Sequence, residues 1–316
     1  MTLGIALAAS NSGNYVDQIV AQARSVAELG IGSVWFGQRM DYDSPALAAI
    51  VGREVPGLQV GTSAIPVVGR HPLLVSSQAQ TAQAATHGRY HLGLAVGSTL
   101  AAGAFGTAFD RPITRLREFL TALRELLDTG TAGFHGELLT VTPPLPTAVP
   151  GAEPRVPVLV AAMGPQALRV TGELADGTLP YLAGPKTLSE HIVPVITQTS
   201  ETAPRIVAFV PAVVTSDVEG TRATAVQQLA FYEQVPSYRR VIELEGASRA
   251  GELALIGDEQ TIAAGIQRYY DAGATEVVLT TTDLAGPDDQ RRTWALAGAL
   301  AADRAGSSAV TALPAV

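Results

Sequence analysis

No cysteine occurs in the chain, so disulfides, thiolate metal ligands, cysteine nucleophiles and redox thiols are excluded at the outset. Lysine is nearly missing as well: 20 of the 21 basic residues are arginine and Lys186 is the one lysine, a skew that, with the abundant alanine, reads as GC-rich coding rather than chemistry. The basic residues are scattered against a formal net charge of −8, so no stripe exists to neutralise consecutive phosphates, and nucleic acid is not an expected partner. No apolar run approaches the roughly 20 residues of a membrane span. The first apolar run, Leu3 to Ala8, has no basic segment before it and stops at Ser10-Asn11-Ser12, which suits a first strand and not a targeting signal. A cytoplasmic protein without membrane contact is expected. Also missing are a Gly-x-Ser-x-Gly elbow, a Gly-x-x-x-x-Gly-Lys-Ser/Thr loop and any His/Asp/Glu cluster at metal-ligand spacing, which disfavours triad and metal hydrolysis; no metal is expected.

What is present is a chain of 316 residues, 47% apolar, enough for one large core. Leu3 to Ala8 is continuously apolar, as in strands buried on both faces, and Val16, Ile19, Val20, Ala23, Val26 and Ala27 then form a helical stripe. Glycine closes that helix at Gly30 before Ser33-Val34-Trp35-Phe36, and the same punctuation recurs at Gly88, Gly177 and Gly273. Strands are expected near 3–8, 32–37, 58–65, 90–96, 156–162, 178–182, 206–214 and 275–281. Eight βα units in about 300 residues argue an α/β fold of the closed (β/α)8 TIM-barrel kind over an open doubly wound sheet. The expected organisation is one barrel over 1–304 and a flexible tail over 305–316. Residues 129–156 interrupt the rhythm between a helix and a strand, hence on the N-terminal face, so His135 reads as structural. Residues 216–257 follow the seventh strand on the opposite face and carry Tyr232, Tyr238, Arg239, Arg240 and Glu243, which suits a lid.

In a barrel the functional groups sit at strand C-termini, here Gly37 to Asp43, Ser63 to His71, Gly97 to Phe109, Ala162 to Gln166 and Tyr181 to Lys186. These are poor in ionisable groups, which points to an organic cofactor that carries the chemistry while the protein orients it. Met163-Gly164-Pro165 opens a helix whose free amides suit a phosphate or make an ordinary strand-helix turn; Gly184-Pro185-Lys186 repeats the arrangement and adds the lysine. Ser63-Ala64-Ile65-Pro66 breaks strand character, as a bulge or an unusual peptide would. Asp43 reads as a helix cap and His71 as a helix start.

Gly61-Thr62-Ser63-Ala64-Ile65-Pro66, Arg70-His71-Pro72-Leu73 and Gly88-Arg89-Tyr90-His91-Leu92-Gly93-Leu94-Ala95-Val96-Gly97 resemble the strand-three to strand-four signature of luciferase-like monooxygenases. With Gln38 to Asp43, Phe109 to Pro112, Leu159 to Pro165, Ala175 to Gly177 and Ala183 to Leu188, the chain from Leu3 to about Arg304 is similar to the bacterial coenzyme F420-dependent oxidoreductase branch. The resemblance implies a homodimer of barrels with a deazaflavin (coenzyme F420), or alternatively FMN, in the mouth. It implies a non-proline cis peptide at Ser63-Ala64 behind the ring, with Gln38, Gly97 and Ser98 beside it. It puts the cofactor phosphate at Met163, Gly164 and Pro165; Gly184 and Lys186 are the neighbouring anion candidates. Where deazaflavin-dependent sugar and alcohol dehydrogenases carry a histidine and a glutamate, this chain has Arg39 and Ser98. Alcohol oxidation is thereby put in doubt, and a reductase acting on an activated C=C or C=N bond of a small molecule is preferred, with Ser98 or Tyr42 as proton donor. Arg39, Met40, Tyr238 and Arg239 are the substrate candidates. An FMN-dependent monooxygenase and a non-catalytic flavin-binding barrel remain the alternatives.

Overall fold

The computed structural model describes residues 2–9 and 12–311, with side chains through Arg304. The chain opens with β1 (Thr2–Ala6), α1 (Tyr15–Glu28), β2 (Ser33–Phe36), α2 (Ser44–Glu54), β3 (Gln59–Thr62), β4 (Ile65–Pro66), α3 (Pro72–Ala85) and β5 (Tyr90–Ala95). It continues through α4 (Thr99–Ala104), α5 (Pro112–Thr129), the hairpin β6 (Phe134–His135) and β7 (Thr140–Val141), β8 (Val158–Ala161), α6 (Pro165–Leu174) and β9 (Gly177–Thr178). Next come α7 (Pro185–Thr187), a π turn, α8 (Val193–Thr199), β10 (Arg205–Val214), α9 (Val218–Leu229) and α10 (Pro236–Glu245). The last elements are β11 (Leu255–Gly257), α11 (Glu259–Asp271), β12 (Glu276–Thr280) and α12 (Pro287–Thr311).

Strands β1, β2, β3, β5, β8, β9, β10 and β12 pair in parallel in that order, and β12 returns to β1, so the sheet closes into the expected (β/α)8 barrel. Helix stripes pack on its outside, as Ile19, Val20, Ala23 and Val26 of α1 do. Inside, alternation along each strand stacks side chains in layers. The lowest layer is polar. Glu276 accepts from Ser33 Oγ at 2.6 Å, Trp35 Nε1 at 3.1 Å and Arg205 at 3.0 Å; Arg205 reaches His91 Nδ1 at 3.2 Å, and His91 Nε2 meets Gln59 Oε1 at 3.1 Å. Above it Trp35, Leu159, Leu179, Val207 and Val278 plug the barrel. Room for the plug comes from glycine: a Cβ on Gly61 would lie 2.4 Å from the Trp35 ring, and one on Gly93 would lie 1.8 Å from the Thr62 carbonyl oxygen. The third layer forms the floor of the mouth.

Several boundaries differ from the sequence reading. The strand expected over 58–65 is split at Ser63-Ala64, whose peptide bond is cis. That expected over 178–182 shrinks to Gly177–Thr178, because Pro180 has no N–H for the ladder, although Tyr181 still bridges to Phe209. The segment 216–257 ends as a strand, β11, beside the upper end of β10. Helix α12 runs to Thr311, into the stretch expected as a tail; 312–316 lie outside the described residues. His135 stands in the β6–β7 hairpin of the N-terminal face, held by Glu118, which accepts from Glu137, Leu138 and Leu139 N–H groups. Among the described residues no helix is long and apolar enough to cross a membrane.

Candidate functional site

Small and large side chains divide the floor of the mouth. Ala6, Ala64 and Ala161, from the β1, β4 and β8 sectors, pack on the plug from one side. Tyr181 and Phe209 stand on the other, and Thr280 continues the inward register of Glu276 and Val278. The alanine half is a flat bed bounded by the cis Ser63-Ala64 peptide. The aromatic half is roofed by the segment after β10: the Tyr181 ring meets Tyr232 at 5.1 Å and Tyr238 at 6.0 Å, edge to face. Burial and then the neighbouring Tyr232 hold the Tyr181 phenol well above its usual pKa, with Thr280 pulling the other way.

The sequence candidates do not all converge here. Gln38 is committed to its own loop: Nε2 donates to the Arg39 and Tyr42 carbonyls at 2.5 and 2.6 Å, and Oε1 accepts from Ser44 and Arg70. Its amide thereby ties the loop together. Tyr42 stacks on Tyr15 at 5.0 Å, and its hydroxyl donates to Gly37 O at 2.8 Å. Burial and then Tyr15 raise its pKa, which makes it a poor proton donor. Arg39 is paired with Asp41 at 2.9 Å, and Met40 is exposed on the same loop. Ser98 caps α4, its Oγ accepting from Ala101 N–H at 3.2 Å, and it remains half-buried beside Gly97 at the end of β5. Asp43 and His71 cap α2 and α3, as their positions in the sequence suggest.

The two helix starts part company. At Gly164 no side chain caps α6, and nothing lies within 4 Å of where a Cβ would stand, so the first-turn amides after Met163-Gly164-Pro165 are open. At Gly184 the anion position is taken by the protein itself. The Glu245 carboxylate accepts from Lys186 N–H at 3.2 Å, Thr187 N–H at 2.8 Å and Thr187 Oγ1 at 2.8 Å, and a Cβ on Gly184 would collide with it. The backbone amides after Gly184 are therefore occupied, and Gly184 and Lys186 border a groove of about 600 Å³. Arg239 Nε donates to Glu233 O at 3.1 Å inside the lid segment, a strut and not a substrate contact, whereas Tyr238 does belong to the roof. Sequence reasoning gave no role to Tyr181, Thr280 or Thr281. The period-two run Glu276-Val278-Thr280 was a usable signal for Thr280. Thr281 carries no such signal: it has φ of +45° at the end of β12, and its buried hydroxyl has no partner.

A flat ring fits this mouth physically. The alanine bed provides a planar apolar contact, the cis peptide places backbone beside it, and the uncapped start of α6 suits a phosphate. Among the described residues no group of histidine and carboxylate side chains is arranged to hold a metal.

Fold and mouth together define a (β/α)8 barrel with its site at the strand C-termini. A luciferase-like monooxygenase family model matches residues 1–276, and the chain belongs to that family of oxidoreductases. It is 25% identical over 281 residues to the F420-dependent glucose-6-phosphate dehydrogenase of Kineococcus radiotolerans, covering 79% of this chain and 83% of that one. Among solved structures it is similar to the coenzyme F420-dependent tetrahydromethanopterin reductase of Methanopyrus kandleri, with TM-score 0.77, 20% identity and coverage of 94% and 97% of the two chains. It is also similar to the FMN-bound oxygenating constituent of 3,6-diketocamphane monooxygenase from Pseudomonas putida, with TM-score 0.74, 13% identity and coverage of 94% and 96%. The latter two likenesses concern the fold.

Proposed function

We propose that the protein is a coenzyme F420-dependent oxidoreductase working as a reductase, adding a hydride and a proton across an activated C=C or C=N bond of a small molecule. One observation carries this reading: a bed for a flat ring lies at strand ends that, among the described residues, show no free acid–base pair. Asp41 is paired with Arg39, Asp43 and His71 cap helices, and Ser98 stands where the resemblance puts an acid. Removing hydride from a hydroxyl needs a base, whereas reducing an activated double bond needs only one proton, which water or the Ser98 hydroxyl can deliver. When bound, reduced deazaflavin supplies the hydride. Ala6, Ala64 and Ala161 would back its ring, and the open amides at the start of α6 would hold its phosphate. The curated relative named for F420 supports this cofactor. FMN is the second reading, favoured by the same bed and the same open helix start.

Titrating the purified protein with each cofactor and following absorbance separates the two. The expected result is deazaflavin binding, and oxidation of its reduced form when enones or imines are added. FMN binding without deazaflavin binding would transfer the assignment to a flavin monooxygenase, and absence of turnover with either would leave a binding protein. We further propose a cytoplasmic homodimer. Exposed Ile50 on α2 and Leu74 on α3, two helices packed together, support a face for a second copy. Light scattering should give twice the 32.7 kDa chain mass.

A further inference from the structure

The aromatic half of the mouth lies beside the bed assigned to the cofactor and has no ligand of its own in that reading. Tyr181 belongs to the barrel plug with Trp35 and Phe209, yet its ring also meets the lid tyrosines Tyr232 and Tyr238, which touch each other at 4.8 Å. One side chain thus joins floor and roof. Its polar groups are uncharged: Thr280 faces inward by register with a buried hydroxyl that has no partner, and the three tyrosines bring their phenols. Three of the arginines named above have partners. Arg39 pairs with Asp41, Arg70 reaches Gln38 and Asp43, Arg239 binds the Glu233 carbonyl, and the helix start at Gly184 is filled by Glu245. A charged molecule seated among these rings would lose water without gaining a countercharge from them, which disfavours it by more than any single contact recovers. A flat apolar body loses nothing comparable and gains aromatic faces.

We propose that the acceptor is a neutral molecule with a flat apolar body carrying one conjugated carbonyl or imine, seated against Tyr181 and Phe209 beneath Tyr232 and Tyr238. The assignment rests on the reductase reading and separates this chain from relatives named for a sugar phosphate. The Thr280 hydroxyl, inward by register and without a partner, offers a donor for the acceptor's heteroatom.

The test is calorimetric titration of a neutral aryl enone, benzylideneacetone, and separately of glucose 6-phosphate, into the protein with and without deazaflavin. The enone is expected to bind and the sugar phosphate to give no saturable heat. Tyr181→Ala should weaken enone binding about tenfold or more, while Tyr181→Phe, which keeps the ring, stays within about threefold. Sugar phosphate binding as tightly as the enone, no enone binding at all, or a folded Tyr181→Ala protein that binds like the parent would each overturn the proposal. Should Tyr181→Ala fail to fold, the comparison of the two ligands on the unmodified protein decides alone. Deazaflavin binding with a preference for the sugar phosphate refutes this inference and leaves the reductase reading standing. Enone binding without deazaflavin binding does the reverse.

Discussion

Acidification from pH 6.5 to 5 should destabilise the barrel through one histidine in its lowest layer. His91 Nδ1 faces the Arg205 guanidinium at 3.2 Å and so accepts, which leaves Nε2–H to donate to Gln59 Oε1 at 3.1 Å; the ring also stacks on Trp35 at 5.8 Å. Every contact suits the neutral tautomer, and a second proton would face a guanidinium. Burial first, and the Arg205 charge second, lower the pKa from 6.5 to about 3. The folded value is thus depressed below the unfolded one: below about pH 6.5 the unfolded chain takes up a proton that the folded chain refuses. Stability is therefore complete above that pH and falls as pH drops toward the folded pKa. For one such group the loss between pH 6.5 and 5 is about 1.6 kcal/mol, in a window where ordinary carboxylates, titrating near 4, stay ionised. At an unfolding entropy of about 2.1 cal/mol/K per residue this lowers Tm by about 2–3 °C. Scanning calorimetry of the parent and of His91→Gln at both pH values measures it. Glutamine keeps an acceptor for Arg205 and a donor for Gln59 but does not titrate, so its Tm should fall less than the parent's by that amount. Equal pH dependence in the two proteins would refute the reasoning, whatever the variant's stability at neutral pH.

Three further outcomes follow from the geometry. Glu245→Ala removes the acceptor shared by Lys186 N–H and Thr187 N–H, and should cost about 0.5–2 kcal/mol in a urea melt, with faster amide exchange over 236–257. Thr281→Val keeps the β-branched shape and deletes a buried, unpartnered hydroxyl, so thermal stability should rise by about 1 kcal/mol; a loss of stability would show that the hydroxyl already has a partner. Gly93→Ala would put a Cβ 1.8 Å from the Thr62 carbonyl oxygen, backbone that cannot yield, and should cost about 3 kcal/mol or more or leave the protein insoluble on expression.

The barrel was legible because its strands are buried on both faces and therefore read as apolar runs closed by glycine, from Leu3-Gly4-Ile5 to Val277-Val278-Leu279. Where a strand lacks that continuity, the reading drifts. Pro180 ends the ladder of β9 two residues after it starts to pair, although the residues around it are apolar. The helix cap at Asp43 and the helix start at His71 were equally legible, because both act on amides within three residues.

Partner choice over long separations was not legible, and that is what decided the site. Gly184 and Gly164 look alike in sequence, each followed by proline at the start of a helix. They differ because a carboxylate 59 residues away from Lys186 occupies one and none occupies the other. Arg239 was decided at short range instead: its guanidinium reaches the Glu233 carbonyl because a short 3-10 turn brings that carbonyl beneath it. For the mouth the consequence runs in one direction. Arg39 and Arg239, which sequence reasoning would offer to a charged substrate, are held by partners chosen in the fold, and alanine, tyrosine, phenylalanine and a few hydroxyls line the floor and roof. A site lined in this way gains selectivity mainly from exclusion. On the reading proposed above, a flat neutral acceptor is admitted to the aromatic half on shape and burial, where a charged group would be dehydrated without a countercharge among the rings.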